Sequence, residues 1–241
     1  MNEKRFFIVT LLILVITACA LETSPTEEPS NMDEQPAATQ SSIELTSAQR
    51  AVITAISGNL DLPADKITLV STEAVDWPDN CLGVPEEGLD CAQATTPGFR
   101  IILQADGRDV EYRTNEDGTQ IRPATVLLTW KREGGIAGFC DFMTIYLSGE
   151  VHGSSCKSGQ YVEQRLIDVL SKEEIAKLDE WVKSYGSVSI DASDPKGVSD
   201  RMVVTLTFTG LGSQQTVSSS FQQELLNFAQ DLHQRLYSSL K

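Results

Sequence analysis

Histidine is nearly missing from this chain: His152 and His233 are its only two in 241 residues. Zinc sites draw on clustered Cys and His ligands, usually with a C-x2-4-C pair. The five cysteines, Cys19, Cys81, Cys91, Cys140 and Cys156, contain no such pair, and only His152 lies near one of them. No metal site is expected. Basic charge is also scarce, with 19 Lys+Arg against 34 Asp+Glu and a net charge of −15. Nucleic-acid binding depends on basic surface, so that class of partner is excluded. The Gly-x-Ser-x-Gly elbow of a serine hydrolase is absent. A Ser-His-Asp triad would need His152, in a predicted hairpin strand, or His233, expected to face solvent on the last helix. No catalytic residue and no cofactor are assigned, and the chain reads as a non-enzyme. Glu86-Glu87 and Glu173-Glu174 read as loop and helix-start charges. Asp191-Ala192-Ser193-Asp194 lacks the spacing of an EF-hand loop.

Long apolar runs are missing too, apart from one at the front. Phe6 to Ile16 follows Lys4 and Arg5. It has the length of a signal-peptide core and is shorter than the ~20 residues of a membrane span. It ends in Ile16-Thr17-Ala18-Cys19, which resembles a bacterial lipobox. The resemblance implies a signal peptide over 1–18, cleavage before Cys19, and a diacylglycerol thioether with further acylation (palmitate) there. Each buried lipid CH2 contributes roughly 0.8 kcal/mol, so two or three acyl chains anchor firmly. The expected location is the cell envelope, extracytoplasmic, with the membrane as a partner through Cys19. Residues 19–46 are rich in Glu, Pro, Ser and Thr, with few large apolar side chains. Such a segment cannot offset its chain entropy by burial and reads as a disordered tether.

With Cys19 lipidated, four cysteines remain in an exported chain. An even number there points to two disulfides. Of three possible pairings, Cys81–Cys91 with Cys140–Cys156 keeps each bridge inside one predicted module.

The remainder reads as α+β: two small modules, each an antiparallel sheet with one or two packing helices, joined near Arg122-Pro123-Ala124. In the first, 47–122, Ser47 is a candidate N-cap for a helix carrying Val52, Ile53 and Ile56. Lys66 to Val75 reads as a strand, and a long irregular loop from Trp77 follows, stapled by Cys81–Cys91. Phe99 to Thr114 reads as a hairpin about Asp106-Gly107. Trp77 is expected to be partly exposed, and Trp77 and Asp79 are candidate binding residues. The second module, 125–241, opens with a strand over Val126–Arg132 and then KREGGIAGFCD. Gly134, Gly135 and Gly138 invite comparison with a phosphate loop. No Gly-Lys-Ser/Thr follows, and the next run has strand rather than helix period. The stretch therefore reads as a glycine turn between strands, and its glycines are candidate binding residues. Beyond it come further strands, a strand within Tyr161–Leu170, a Ser171…Glu174 capping box, an alternating strand over Met202–Phe208 and an amphipathic helix from about Ser219.

Two resemblances follow. Trp77, Asp79, Leu82, Gly83, Pro97, Gly98, Phe99, Arg100, Tyr112, Arg113 and Thr114 match the pattern of a secreted domain of bacterial lipoproteins, and the layout is loosely similar to PepSY-type modules. Residues 125–240 resemble emfourin, a small inhibitor of thermolysin-type metalloproteases. That likeness rests on Arg132-Glu133-Gly134-Gly135-Ile136-Ala137-Gly138, Leu170-Ser171…Glu174, Asp200 before Met202-Val203-Val204, and the last helix. This chain adds Cys140 and Cys156 and lengthens the central strands. The resemblance implies a protein-binding module that inhibits a secreted metalloprotease. A scaffold or ligand-binding lipoprotein of an envelope or transporter assembly is the alternative.

Overall fold

The structure is a computed structural model, and it describes residues 44–84, 86, 89–155, 166–214 and 217–238. The predicted signal peptide, Cys19, nearly all of the predicted tether, Cys156 and the 161–165 part of a predicted strand lie outside the described residues.

The first helix, α1 (Ser47–Asn59), is capped by Thr46, not by Ser47. Thr46 Oγ1 accepts from Gln49 N–H at 3.3 Å, and Gln49 Oε1 accepts from Thr46 N–H at 2.8 Å. This reciprocal box satisfies two otherwise orphaned donors, and Ser47 cannot form it one residue later. Ala48, Val52 and Ile56 recur at helical spacing and are fully buried. They face an antiparallel four-stranded sheet in the order β1 (Ile67–Trp77), β2 (Thr96–Ala105), β3 (Arg108–Asn115), β4 (Ile121–Pro123). Ile101, Leu103, Val110 and Tyr112 supply the sheet's side of that core. The β2–β3 turn holds Asp106 and Gly107 at φ +48° and +78°, the pair of positive values that a two-residue hairpin loop needs. Strand β1 is longer than its sequence pattern suggests. A bulge between Leu69 and Ser71 leaves Val70 unpaired and outward.

The second sheet has six antiparallel strands. In chain order they are β5 (Val126–Gly134), β6 (Phe139–Tyr146), β7 (Glu150–Ser155), β8 (Leu166–Val169), β9 (Gly186–Asp191) and β10 (Met202–Leu211). Across the sheet they run β8-β7-β6-β5-β10-β9. Helix α2 (Lys172–Ser184) starts at the predicted Ser171–Glu174 capping box, and α3 (Ser219–Ser238) is the predicted last helix. Both send side chains into one core with Leu128, Trp130, Met143, Ile145, Leu206 and Phe208. Trp181 meets Phe221 and Phe228 edge-on at 5.6 and 5.2 Å between centroids. Each fully buried side chain of this size contributes roughly 1.5–3 kcal/mol.

The fold is thus α+β, with the two sheets divided between Pro123 and Val126. Both sheets lie within one compact unit, 44–241. Strand side chains alternate between faces. Tyr146, Thr144, Glu150 and His152 therefore leave the six-stranded sheet on the side opposite the helices, yet all are buried. Among the described residues, no helix is long and apolar enough to cross a membrane.

Candidate functional site

The glycine stretch is a tight hairpin turn joining β5 to β6. Gly134, Gly135 and Gly138 take φ of +80°, +69° and +59°, values that other residues rarely adopt. A Cβ on Gly134 would lie 2.5 Å from the Arg201 carbonyl oxygen. Gly135 N–H donates to that same oxygen at 3.1 Å, and Gly138 N–H donates to Gly135 O at 3.0 Å. With these two amides committed to carbonyls and a strand following, the turn does not form a phosphate cradle. Its tip presents Ile136, which is 91% exposed. The loop before β10, whose Arg201 carbonyl braces the turn, carries half-exposed Val198.

The other two candidate binding residues are placed differently. Trp77 is buried, at 3% exposure, rather than partly exposed. Its Nε1–H donates to Thr114 O at 2.9 Å, and the Arg113 guanidinium lies 4.7 Å from its ring centroid. Pro78 and Asp79 do not push the indole outward, because β1 continues to Trp77 and turns its side chain in. Asp79 Oδ1 accepts from the Cys81 and Gly83 N–H groups, both at 2.9 Å. Arg113 Nη1 donates to Leu82 O and Gly83 O. The conspicuous residues of this loop therefore hold one another. Cys81 and Cys91 are joined in a disulfide as expected. Closing that short loop contributes on the order of 3 kcal/mol in the chain-entropy account. Cys140 is also disulfide-bonded; its proposed partner Cys156 lies outside the described residues.

A cluster that the sequence did not disclose lies where the disulfide loop meets β7. His152 is 5% exposed and has a carboxylate at each end of its ring. Nδ1 is 2.7 Å from Glu86 Oε1, and Nε2 is 3.0 Å from Glu150 Oε2. Tyr112 O–H donates to Glu150, and Tyr146 O–H donates to Glu86. Arg122 reaches Glu86 at 3.5 Å. Burial, reinforced by the charge of Glu150, holds the Tyr112 hydroxyl far above the usual phenol range, so it stays a donor. Burial works to lower the pKa of His152, but the hydrogen bonds and charges of Glu150 and Glu86 outweigh it and raise the pKa. With its side chain only 7% exposed, Glu86 is thus a partner of the other sheet and not a solvated loop charge.

His233 is buried rather than solvent-facing. It packs between Trp130 and Tyr237, with centroids 4.8 and 4.5 Å away. Burial pushes its pKa down to about 4, against the raising effect of Asp141. Asp141 itself is held by Arg132 at 2.6 Å and by Ser155 at 3.1 Å.

Among the described residues, no group of three or more His, Cys, Asp or Glu is arranged to hold a metal ion. No curated protein and no solved structure matches the chain. Residues 49–123, which run from α1 through β4, match a domain of unknown function (DUF8738).

Proposed function

We propose that this chain is a non-catalytic lipoprotein of the cell envelope, anchored through Cys19, whose folded body binds a protein partner. Exposed Ile136, on a hairpin tip braced by Gly135 and Arg201, is the observation that carries the binding reading. An aliphatic side chain held almost wholly in water on a braced turn is suited to enter an apolar pocket. The Cys81–Cys91 bridge supports an oxidising compartment outside the cytoplasm. The enclosure of both histidines supports a non-catalytic role, since each is packed among other side chains. The emfourin resemblance names the specific activity, inhibition of a secreted thermolysin-type metalloprotease.

Two experiments address the two halves. Radioactive fatty acid should label the wild-type chain and not Cys19→Ala; equal labelling of both removes the anchor. The complete exported chain, at micromolar excess, should inhibit a thermolysin-type protease. Ile136→Asp should weaken that inhibition at least about tenfold, with stability within about 0.5 kcal/mol of wild type as for an exposed site. An uninhibited protease ends the inhibitor reading. Full inhibition by Ile136→Asp ends the role of the hairpin tip.

A further inference from the structure

We propose that His152 is a pH-sensitive tie between the two sheets: its protonated ring joins Glu86 of the disulfide loop to Glu150 of the six-stranded sheet, and loss of the proton breaks that joint. Position makes it a tie. Glu86 belongs to the loop between β1 and β2 and lies 66 residues from His152 in sequence. It also faces Tyr146, at the end of β6, and Arg122 on β4. Glu150 shares β7 with His152 and faces Tyr112 of β3 and, at 3.5 Å, the amide of Asn59 at the end of α1. The ring of Tyr146 lies 4.7 Å from that of His152. The cross-strand neighbours of His152 are uncharged, Thr144 on β6 and Ile167 on β8. Asp168 of β8 is paired with Arg235 of α3.

The protons on the ring decide the direction. With His152 protonated, both ring nitrogens carry a proton and each donates to a carboxylate. With His152 neutral, one ring nitrogen presents a lone pair to a carboxylate oxygen about 3 Å away, so one of the two hydrogen bonds is replaced by repulsion. Burial makes that exchange costly. The group's folded pKa lies above its unfolded value of 6.5. The tie is therefore complete below pH 6.5, weakens as the pH rises, and is gone above the folded value. The buried Tyr112–Glu150 hydrogen bond, from β3 to β7, and the Arg108–Asp179 pair, at 2.7 Å, from β3 to α2, contain no histidine, so these contacts persist while the loop is untied.

The test is an NMR titration of the complete chain with hydrogen exchange at the same pH values. The His152 ring should titrate above pH 6.5. Protection of the Leu82 and Val84 amides, which bond within the loop, should fall about tenfold per pH unit between 6.5 and that midpoint. In His152→Gln this pH dependence should vanish. Should that variant fail to fold, Glu86→Gln should lower the His152 midpoint by removing one of the two charges. A midpoint at or below 6.5 in the wild type overturns the proposal. So does a pH dependence that survives in His152→Gln, or an unmoved midpoint in Glu86→Gln.

Discussion

Glu150→Ala is expected to destabilise the folded chain by about 3–5 kcal/mol, measured as a lower midpoint of denaturant unfolding with an unchanged slope. The size follows from what the carboxylate touches. Glu150 is 1% exposed, and its two oxygens serve Tyr112, His152 and Asn59. Alanine leaves a buried phenol hydroxyl without its acceptor and, below pH 6.5, a buried imidazolium with one carboxylate in place of two. A lost buried acceptor alone costs about 1–3 kcal/mol, and the unpaired charge adds to it. Glu150→Gln keeps the shape and a carbonyl acceptor for Tyr112, so it should cost less than half as much. The pair of variants separates charge from packing. A loss below about 1 kcal/mol for Glu150→Ala would mean that water already reaches the cluster, and would remove Glu150 as a buried link between the sheets.

The same cluster shows where sequence reading stops. The predicted hairpin about Asp106-Gly107, the α2 capping box and the last helix all reappear in the structure, because each depends on residues within a few positions of one another. The short strands β4 and β9 are not among the predicted elements. Ile121-Arg122-Pro123 is too brief to show alternation, whereas Gly186–Asp191 does alternate, Val188 and Ile190 against Ser187, Ser189 and Asp191, but over only six residues. Glu86 looked like a solvated loop charge because its partners lie on β4, β6 and β7, far along the chain. The environment of His152 is set by which strand neighbours β7 and by where the disulfide loop folds. The one local sign is that Glu150 and His152 sit two apart on β7, and so on a single face. Polar residues on one face of a buried strand imply a partner, and here that partner comes from the other sheet.

Gly98→Ala is the substitution with the largest expected cost, about 4 kcal/mol or more, or failure to fold. Gly98 lies on β2 opposite Asn115 of β3. A Cβ there would sit 1.8 Å from the Thr114 carbonyl oxygen and 2.8 Å from Trp77 Nε1. Those two atoms are the partners of the hydrogen bond that fixes the indole. The glycine is therefore the space through which Trp77 reaches β3. Backbone on one side and a buried ring on the other leave the methyl group nowhere to go, so β3 must shift or the bond must break. Either loosens Arg113, whose guanidinium packs on the indole and holds Leu82 O and Gly83 O. The disturbance thus spreads to the disulfide loop and to Glu86. Gly58→Ala provides the opposite sign. Gly58 lies within α1 with nothing within 4 Å of its would-be Cβ, so alanine should stabilise by about 0.5–1 kcal/mol through helix propensity and a less flexible unfolded chain. Thermal and denaturant unfolding of the two variants side by side would read both effects. A Gly98→Ala chain as stable as wild type would show that β2 and β3 are not held this closely, and with it would fall the account of Trp77 as the loop's anchor.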